Sequence, residues 1–474
     1  METITQTQLP PRETLLDVTC HLTPEPRRHY VDHCFQVPAN ASRIGVRVSF
    51  HKQERSDAEL FVSLHAPNGF RGNRMDPGAH GDVVLDLWVS PTDASPGGVP
   101  GALPAGEWRA QVDVERLNTD VSYRLTVYAE WGDVPEAVDM PYPADHVVKA
   151  EAGWYRGELH AHSTESDGKY PVSTVVNAAL NAGLDFLALS DHFTVSQWRK
   201  LALLINEHIA LLRSCEITSH HGHANLHGIQ HWVDVYVDRD DWSMDRAADA
   251  AHAQGGLFCI NHPYSGDLSW RAYHFDWNKA DLLEIYHNLE GANNHLHLSL
   301  WDRLLLQGYR IVGVGGVDSH DPFEGLHRLG QVVTWVYADE LSERGIVAGL
   351  RRGCVVVSRG PEVRFWATDA SGRRAEMWES LPLDGQPVTF HVQIRAAEPL
   401  RLFVVRDGLH FETFTVQATG DSWQTLSFSD QPMGTAFYRL ELHSIHQHEI
   451  YKGIHWRDFS TMRALTNPIW VRSV

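Results

Sequence analysis

Two changes of rhythm along the chain constrain its fold more than any other feature. From about residue 42 to 131, apolar and polar residues alternate in short runs: RIGVRVSF, ELFVSLHA, VVLDLWV, EWRAQVDV and SYRLTVYAE. Turn-rich stretches such as SPTDASPGGVPGALPAGE divide them. A period of two gives each strand one apolar face, and short strands separated by turns predict an antiparallel β-sandwich. GDVPEAVDMPYPAD reads as a linker. From 151 the period lengthens. VSTVVNAALNAG has helical spacing and stops at Gly183, and the wholly apolar LDFLALS follows as a buried parallel strand. The alternation repeats through SMDRAADAAHAQGG, LFCINH, DLLEIY, NNHLHLSLWDRLLLQG and RIVGVGGVDSH, and DELSERGIVAGLRRG and CVVVSRGP add a helix and a strand. Strands alternating with helices predict α/β architecture with a barrel-like parallel sheet. From about 361 the period of two returns in TFHVQIRA, LRLFVVRD and AFYRLELH. At 474 residues the chain exceeds one ordinary core. The expectation is an α/β centre over 151–360, flanked by a β-sandwich-like domain at 1–145 and a β-rich domain at 361–474.

The polar residues of the centre gather where its strands end. LDFLALS runs into Asp191-His192, LLRSCE ends at Glu216, LFCIN meets His262, LLEIY meets His287, and RIVGVGGV meets Asp318-Ser319-His320. In barrel enzymes the C-terminal ends of parallel strands carry the active site. GELHAHSTESDG adds His160 and His162, which a strand aims in one direction, and Asp167 on an acidic turn. Seventeen of the thirty histidines lie between 151 and 330. Imidazoles and carboxylates without thiolates suit zinc, manganese or iron(II), and so many donors imply two or three ions, with a carboxylate such as Glu216 able to bridge two. The five cysteines are scattered, with no Cys-x-x-Cys pair, which speaks against a cysteine-based zinc site and for a reduced, cytoplasmic setting. A net charge of -20 argues against nucleic acid as a partner. No run of about eighteen apolar residues suggests a membrane span, and the N-terminus has no signal-peptide pattern.

The order GELHAHSTESDG, ALSDH, CEITS, GHANLHG, NHP and GVDSH resembles the PHP (polymerase and histidinol phosphatase) superfamily of metal-dependent hydrolases over roughly 150–360. GHANLHG, the late TNPIWV and the flanking β-regions resemble its CehA/McbA-like (carbaryl-hydrolase-like) branch. The resemblance implies a distorted (β/α)7 barrel and a di- or trinuclear site. Carried over by motif, His160, His162, Glu216 and Asp318 would hold one ion. Glu216, His223 and His262 would hold a second, and Asp167, His192 and His320 a third. His220, His221 and His227 compete with His223, which the Gly-His-Ala-Asn order favours. The expected activity is attack by a metal-bound hydroxide on a small-molecule ester. Phosphoesters lead; a carbamate or carboxylic ester is the alternative, and a non-catalytic, metal-stabilised binding module is the second.

Other residues carry readings of their own. Asp191 is expected to orient a ligand or bond backbone. His295 and His297 are expected at a helix surface, and His443, His446 and His448 at a solvated edge. Trp198, Trp270 and Trp277 suit core packing or an aromatic pocket. Arg359 suits an anionic substrate or a structural ion pair. Tyr264 and His287 are candidates for substrate contact or leaving-group protonation.

Overall fold

The computed structural model describes residues 12–24, 29–133, 136–137, 141–219, 221–236, 242–287, 291–325, 327–445 and 461–473. The first eight strands are β1 (Arg12–Leu22), β2 (His29–Val37), β3 (Arg43–Lys52), β4 (Ala58–Ala66), β5 (Gly69–Arg74), β6 (Gly81–Val89), β7 (Gly106–Leu117) and β8 (Val121–Glu130). They form two antiparallel sheets of order β1-β8-β3-β6 and β2-β7-β4-β5. Alternate residues such as Val46, Val48, Val62, Leu64, Val112 and Leu125 pack between them, as the period of two requires.

A short strand β9 (Val147–Lys149) leads into the centre. There follow β10 (Gly153–Ala161), α1 (Val172–Asn181), β11 (Phe186–Leu189), α2 (Gln197–Ala202), β12 (Ala210–Ser219), β13 (Gly222–His227), α3 (Met244–His252), β14 (Leu257–Ile260), β15 (Leu282–His287), α4 (Gly291–Leu306) and β16 (Val312–Gly316). Strands β10 to β16 pair in chain order. The ends of this run meet, because Ala161 bridges Ser319 in parallel and Ser319 N–H donates to His160 O at 3.1 Å. The run is nonetheless mixed rather than a regular strand–helix repeat. β13 is antiparallel to both neighbours, and β14 and β15 are joined through single helical turns at 266–268 and 277–279. The sequence hid β13 because GHANLH turns His and Asn side chains inward, so it carries neither an apolar run nor a clean alternation. α1 stops as expected: Gly183 adopts φ 69°, and Leu184 N–H reaches Ala179 O at 3.0 Å.

β17 (Val333–Ala338), β18 (Leu341–Ser342), α5 (Glu343–Arg352) and β19 (Val355–Ser358) complete the central part. β17 pairs with β10 and β19 with β17, and the same sheet continues through strands 462–466, 436–444, 400–406 and 409–416. The late β-region is therefore continuous with the central sheet. A second antiparallel sheet (362–368, 374–376, 388–395, 424–430) packs against it around Phe390, Val392, Leu402 and Leu440. Asn467 ties the two regions: its Oδ1 accepts from Gly313 N–H at 2.8 Å, and its Nδ2 donates to Gly313 O at 2.8 Å and to Val355 O at 3.0 Å. No helix of the described residues is long and apolar enough to cross a membrane.

Candidate metal centre

The strands place their chemistry on one rim. Glu158 and His160 share a face of β10, and His162 follows directly beyond that strand. His192 follows β11, Glu216 lies in β12, His262 follows β14, Glu284 and His287 end β15, and Asp318 and His320 follow β16. β13 runs the other way, so it is its second residue, His223, that reaches the same rim. Two of these residues hold left-handed backbone, His262 at φ 26° and Asp318 at φ 51°, a conformation costing on the order of 1–3 kcal/mol outside glycine. Both turns are held from outside: His262 N–H donates to Glu284 Oε2 at 2.9 Å, and Val317 N–H to Glu158 Oε1 at 3.0 Å.

Four groups arise whose donor atoms lie within 4.8 Å of one another: His160, His162, Glu216 and Asp318; Glu216, His223 and His262; His162, Asp167, His192 and His320; and His160, Glu284 and His287. The nine residues named as ligands from sequence thus converge, with Glu216 shared by two groups. Glu216 Oε2 lies 3.1 Å from His160 Nε2, 3.3 Å from His162 Nε2 and 3.2 Å from His192 Nδ1. Glu216 Oε1 lies 3.2 Å from His223 Nδ1 and 3.7 Å from His262 Nε2. Asp318 Oδ1 is 2.9 Å from His162 Nε2, and Asp167 Oδ2 is 3.1 Å from His320 Nε2. Five ring nitrogens around Glu216 exceed the roughly four lone-pair positions of a carboxylate. That donor set fits cations better than hydrogen bonds alone.

The electrostatics agree with this. Burial pushes His162 and His223 down to about 4, so both imidazoles are neutral at neutral pH. Burial works against ionised Glu216 and Asp318, but the surrounding imidazoles, His160 foremost, hold both carboxyls well below the usual range. Burial opposes a charge on His160 and His320 too, but Glu216 and Glu284 raise His160 well above its ordinary value, and Asp167 and Asp318 raise His320 to about 10. These two imidazoles therefore carry protons that bound cations would replace.

Sequence reasoning missed the residues that orient this set. Glu284 accepts from His160 Nδ1 at 2.7 Å and lies 3.3 Å from His287 Nδ1, while Asn261 donates to Glu216 Oε1 at 2.8 Å. The signal for Glu284 was present: a charged residue within the buried apolar run LLEIY needs a partner. Room for it comes from Gly316, where a Cβ would overlap Glu284 Oε1 and stand 2.9 Å from His160 Cβ. Gly316→Ala is therefore expected to displace the Glu284–His160 pair and weaken metal binding by roughly 10- to 100-fold, as loss of an orienting partner does. Metal titration of the variant checks this, and wild-type affinity would sink it.

Other expected site residues lie elsewhere. Arg359 follows β19, two strands from β10 in the sheet, and its Nη1 donates to Tyr286 Oη at 3.3 Å instead of meeting a cluster carboxylate. Tyr264 turns toward His297, whose Nε2 accepts its backbone N–H at 3.2 Å and whose ring it stacks on. His297 is buried, not at the surface, because its helix turns that face toward the ring; His295 is exposed. His287 joins the cluster, its Nε2 3.9 Å from Asp318 Oδ2. Asp191 accepts from Ser163 N–H at 2.8 Å, Ser163 Oγ at 2.9 Å and Ser166 Oγ at 2.8 Å, holding the loop that leads to Asp167. His227 is buried away from these groups against Ser214 Oγ, and His221 is exposed. His443 is buried against Thr461 Oγ1 at 2.7 Å and is not a solvated edge residue. His220, His446 and His448 lie outside the described residues. Trp198 donates to Ser214 O, and Trp270 and Trp277 pack with Phe258 and Phe275, so all three serve the core.

No family model matches the sequence. Over 59 residues it is 36% identical to the DNA polymerase/3'-5' exonuclease PolX of Bacillus subtilis, a stretch covering 12% of this chain and 10% of that relative. The chain thus spans about a tenth of the curated relative it matches. Among solved structures, a two-domain protein from Bacteroides vulgatus, described as containing a predicted PHP-like metal-dependent phosphoesterase, aligns at 17% identity. The alignment covers 67% of this chain and 95% of that one, with a TM-score of 0.39. An amidohydrolase from Chromobacterium violaceum aligns at 17% identity over 36% of this chain and 90% of its own, with a TM-score of 0.26.

Proposed function

We propose that this chain is a metal-dependent hydrolase of the PHP type, in its CehA/McbA-like branch, that cleaves a small-molecule ester with two to three divalent cations (zinc, manganese or iron). The observation that carries the reading is Glu216, buried and surrounded by the imidazoles of His160, His162, His192, His223 and His262. His160, His162, Glu216 and Asp318 are the proposed holders of one ion, Glu216, His223 and His262 of a second, and Asp167, His192 and His320 of a third. Cations bound there would polarise the ester and lower the pKa of an attacking water. Glu284 lies against the Nδ1 atoms of His160 and His287, leaving each Nε2 to face the cluster. Burial keeps His287 neutral with a lone pair at Nε2, so it is placed to take up a proton there from the attacking water and then pass it to the leaving oxygen.

A phosphoester is the preferred substrate class. Asp167, Glu216, Glu284 and Asp318 do not cancel the charge of three divalent cations, and the excess favours a tetrahedral anion. The test is metal analysis together with hydrolysis of chromogenic phosphomonoester, phosphodiester and aryl-ester substrates. Two to three equivalents of metal are expected, lost on chelation together with phosphoesterase activity. An active protein with less than one equivalent after reconstitution would overturn the reading. Turnover of neutral esters alone would replace the phosphoester with a carbamate or carboxylic ester.

A further inference from the structure

The proposed ligands differ in how the fold supports them. His160, Glu216 and His223 stand within strands, and His262 and Asp318 directly follow β14 and β16. Asp167 lies in the loop between β10 and α1, and His192 begins the loop between β11 and α2. With His320, Asp167 is also the more exposed, at 28% and 33% of their side-chain surfaces. Loops sample more conformations than strands, so this outer group depends on the bonds its loops make: Asp191 holds the loop before Asp167, and His192 bridges Glu216 in parallel.

The N-terminal sheets contact both loops. Arg74, the last residue of β5, donates from Nη1 to Thr164 O at 3.3 Å and to Ser166 O at 3.5 Å. Burial weakens the hold of its guanidinium on the proton, and nearby Glu165 and Asp167 oppose that. Gly97, on the turn-rich loop after β6, donates its N–H to Glu165 Oε2 at 3.1 Å, and its carbonyl accepts from Thr194 Oγ1 at 2.9 Å. The buried Glu165 carboxylate also receives Ser196 Oγ at 2.7 Å and Lys200 Nζ. One backbone residue of the N-terminal part is therefore bonded to the loop before Asp167 and the loop after His192. Its conformation needs glycine, since φ is 82° and a Cβ would overlap Asn73 O and stand 3.1 Å from Glu165 O. Ring contacts seal the junction: Phe61 with Phe193 at 5.3 Å, and Phe70 stacked on Trp232 at 4.3 Å.

We infer that the N-terminal sheets position the outermost cation: Arg74 and Gly97 fix the loops that carry Asp167 and His192, and so set the affinity of the Asp167–His192–His320 group far more than that of the two inner groups. The inference rests on the metal-binding reading proposed above. Arg74 is a positioning residue, acting through two carbonyls and without touching a donor atom of the cluster.

The experiment titrates full-length, metal-free protein with zinc alone by equilibrium dialysis, counting bound metal by atomic emission. Wild type is expected to bind three equivalents and Asp167→Asn two. Arg74→Gln should keep two tight equivalents and bind the third roughly 10- to 100-fold more weakly, as loss of a residue supporting a ligand does. Thr194→Val, which removes the bond to Gly97 O and the one accepted from Ser196 N–H at 3.2 Å, should do the same. Arg74→Lys should recover part of the loss, because an ammonium can still donate to one carbonyl. Wild-type binding of the third equivalent by Arg74→Gln and Thr194→Val overturns the inference, and so does equal weakening of all three sites. If wild type and Asp167→Asn both bind two, the outer site does not exist and the inference fails, yet the hydrolase reading stands. Less than one equivalent on wild type removes that reading and the inference with it.

Discussion

Glu216→Gln is expected to leave the protein folded, to remove at least one equivalent of metal and, with it, the ester hydrolysis proposed above. The carboxylate is fully buried and lies 3.1–3.7 Å from ring nitrogens of His160, His162, His192, His223 and His262. An amide keeps the shape but gives up the charge, and one of its two ends becomes a donor facing imidazoles. Losing a bridging charge should cost more than losing an orienting partner, so metal affinity should fall by at least about 100-fold. Asp191→Asn is the contrasting change. Burial already pushes the Asp191 carboxyl up to about 6, so a neutral group is tolerated there. An amide oxygen can take the place of Oδ1, which accepts from Ser163 N–H and Ser166 Oγ, while Ser163 Oγ accepts where it formerly donated. Metal counted after desalting, with kcat/KM on the best chromogenic ester, decides the matter. If Glu216→Gln keeps its full complement, or Asp191→Asn loses as much, the ligand assignment is wrong.

Arg439→Met should produce the largest loss of stability outside the centre. Arg439 is fully buried, and its guanidinium donates from Nε and Nη2 to Asp302 at 3.0 Å each and from Nη1 to Glu441 Oε1 at 2.6 Å. Asp302 belongs to α4 and Arg439 to the 436–444 strand, so the fork joins the central helix layer to the late β-region. Without the cation, two carboxylates remain in low-dielectric surroundings, at a cost of about 3–5 kcal/mol. Arg439→Lys keeps the charge but cannot make the bidentate bond, and should fall between the two. Replacing Arg439, Asp302 and Glu441 together with apolar residues should recover much of the loss, because no buried charge is then left uncompensated. Urea unfolding measures all four proteins. A change of less than about 1 kcal/mol for Arg439→Met would show that the carboxylates find other compensation.

The parts of the fold legible in the sequence were those in which one local signal sufficed. α1 and α5 have helical spacing and end at Gly183 and Gly353, both with positive φ. β11 and β14 are short apolar runs bounded by polar rim residues. α2, at six residues, is too short to show a period, and β13 hid behind its inward-facing His223 and Asn225. The continuity of the central sheet with strands 462–466 and 436–444 depends on pairings far apart in sequence, which periodicity does not encode. At the centre, the residues carried over by motif are ones the fold brings together in groups whose donor atoms lie within 4.8 Å of one another. The residues orienting them were harder to find: Glu284 and Asn261 act through hydrogen bonds to neighbours distant in sequence, and such a demand leaves little imprint on spacing. For Arg359 the residue type suits an anion or a structural pair, and spacing does not say that its Nη1 meets Tyr286 Oη.

Asn467 also gives the maturation of this protein a clock. Its amide clasps Gly313 in β16, the strand that delivers Asp318, across a separation of 154 residues. At a synthesis rate of about 5–20 residues per second, roughly 8–30 s pass between the appearance of Gly313 and that of its clasp. For all but the start of that interval the nascent chain carries every donor of the rim while the strand behind Asp318 lacks its buttress. The centre therefore becomes complete only once Asn467 has been made, and a cation captured earlier meets a ring still missing one of its supports.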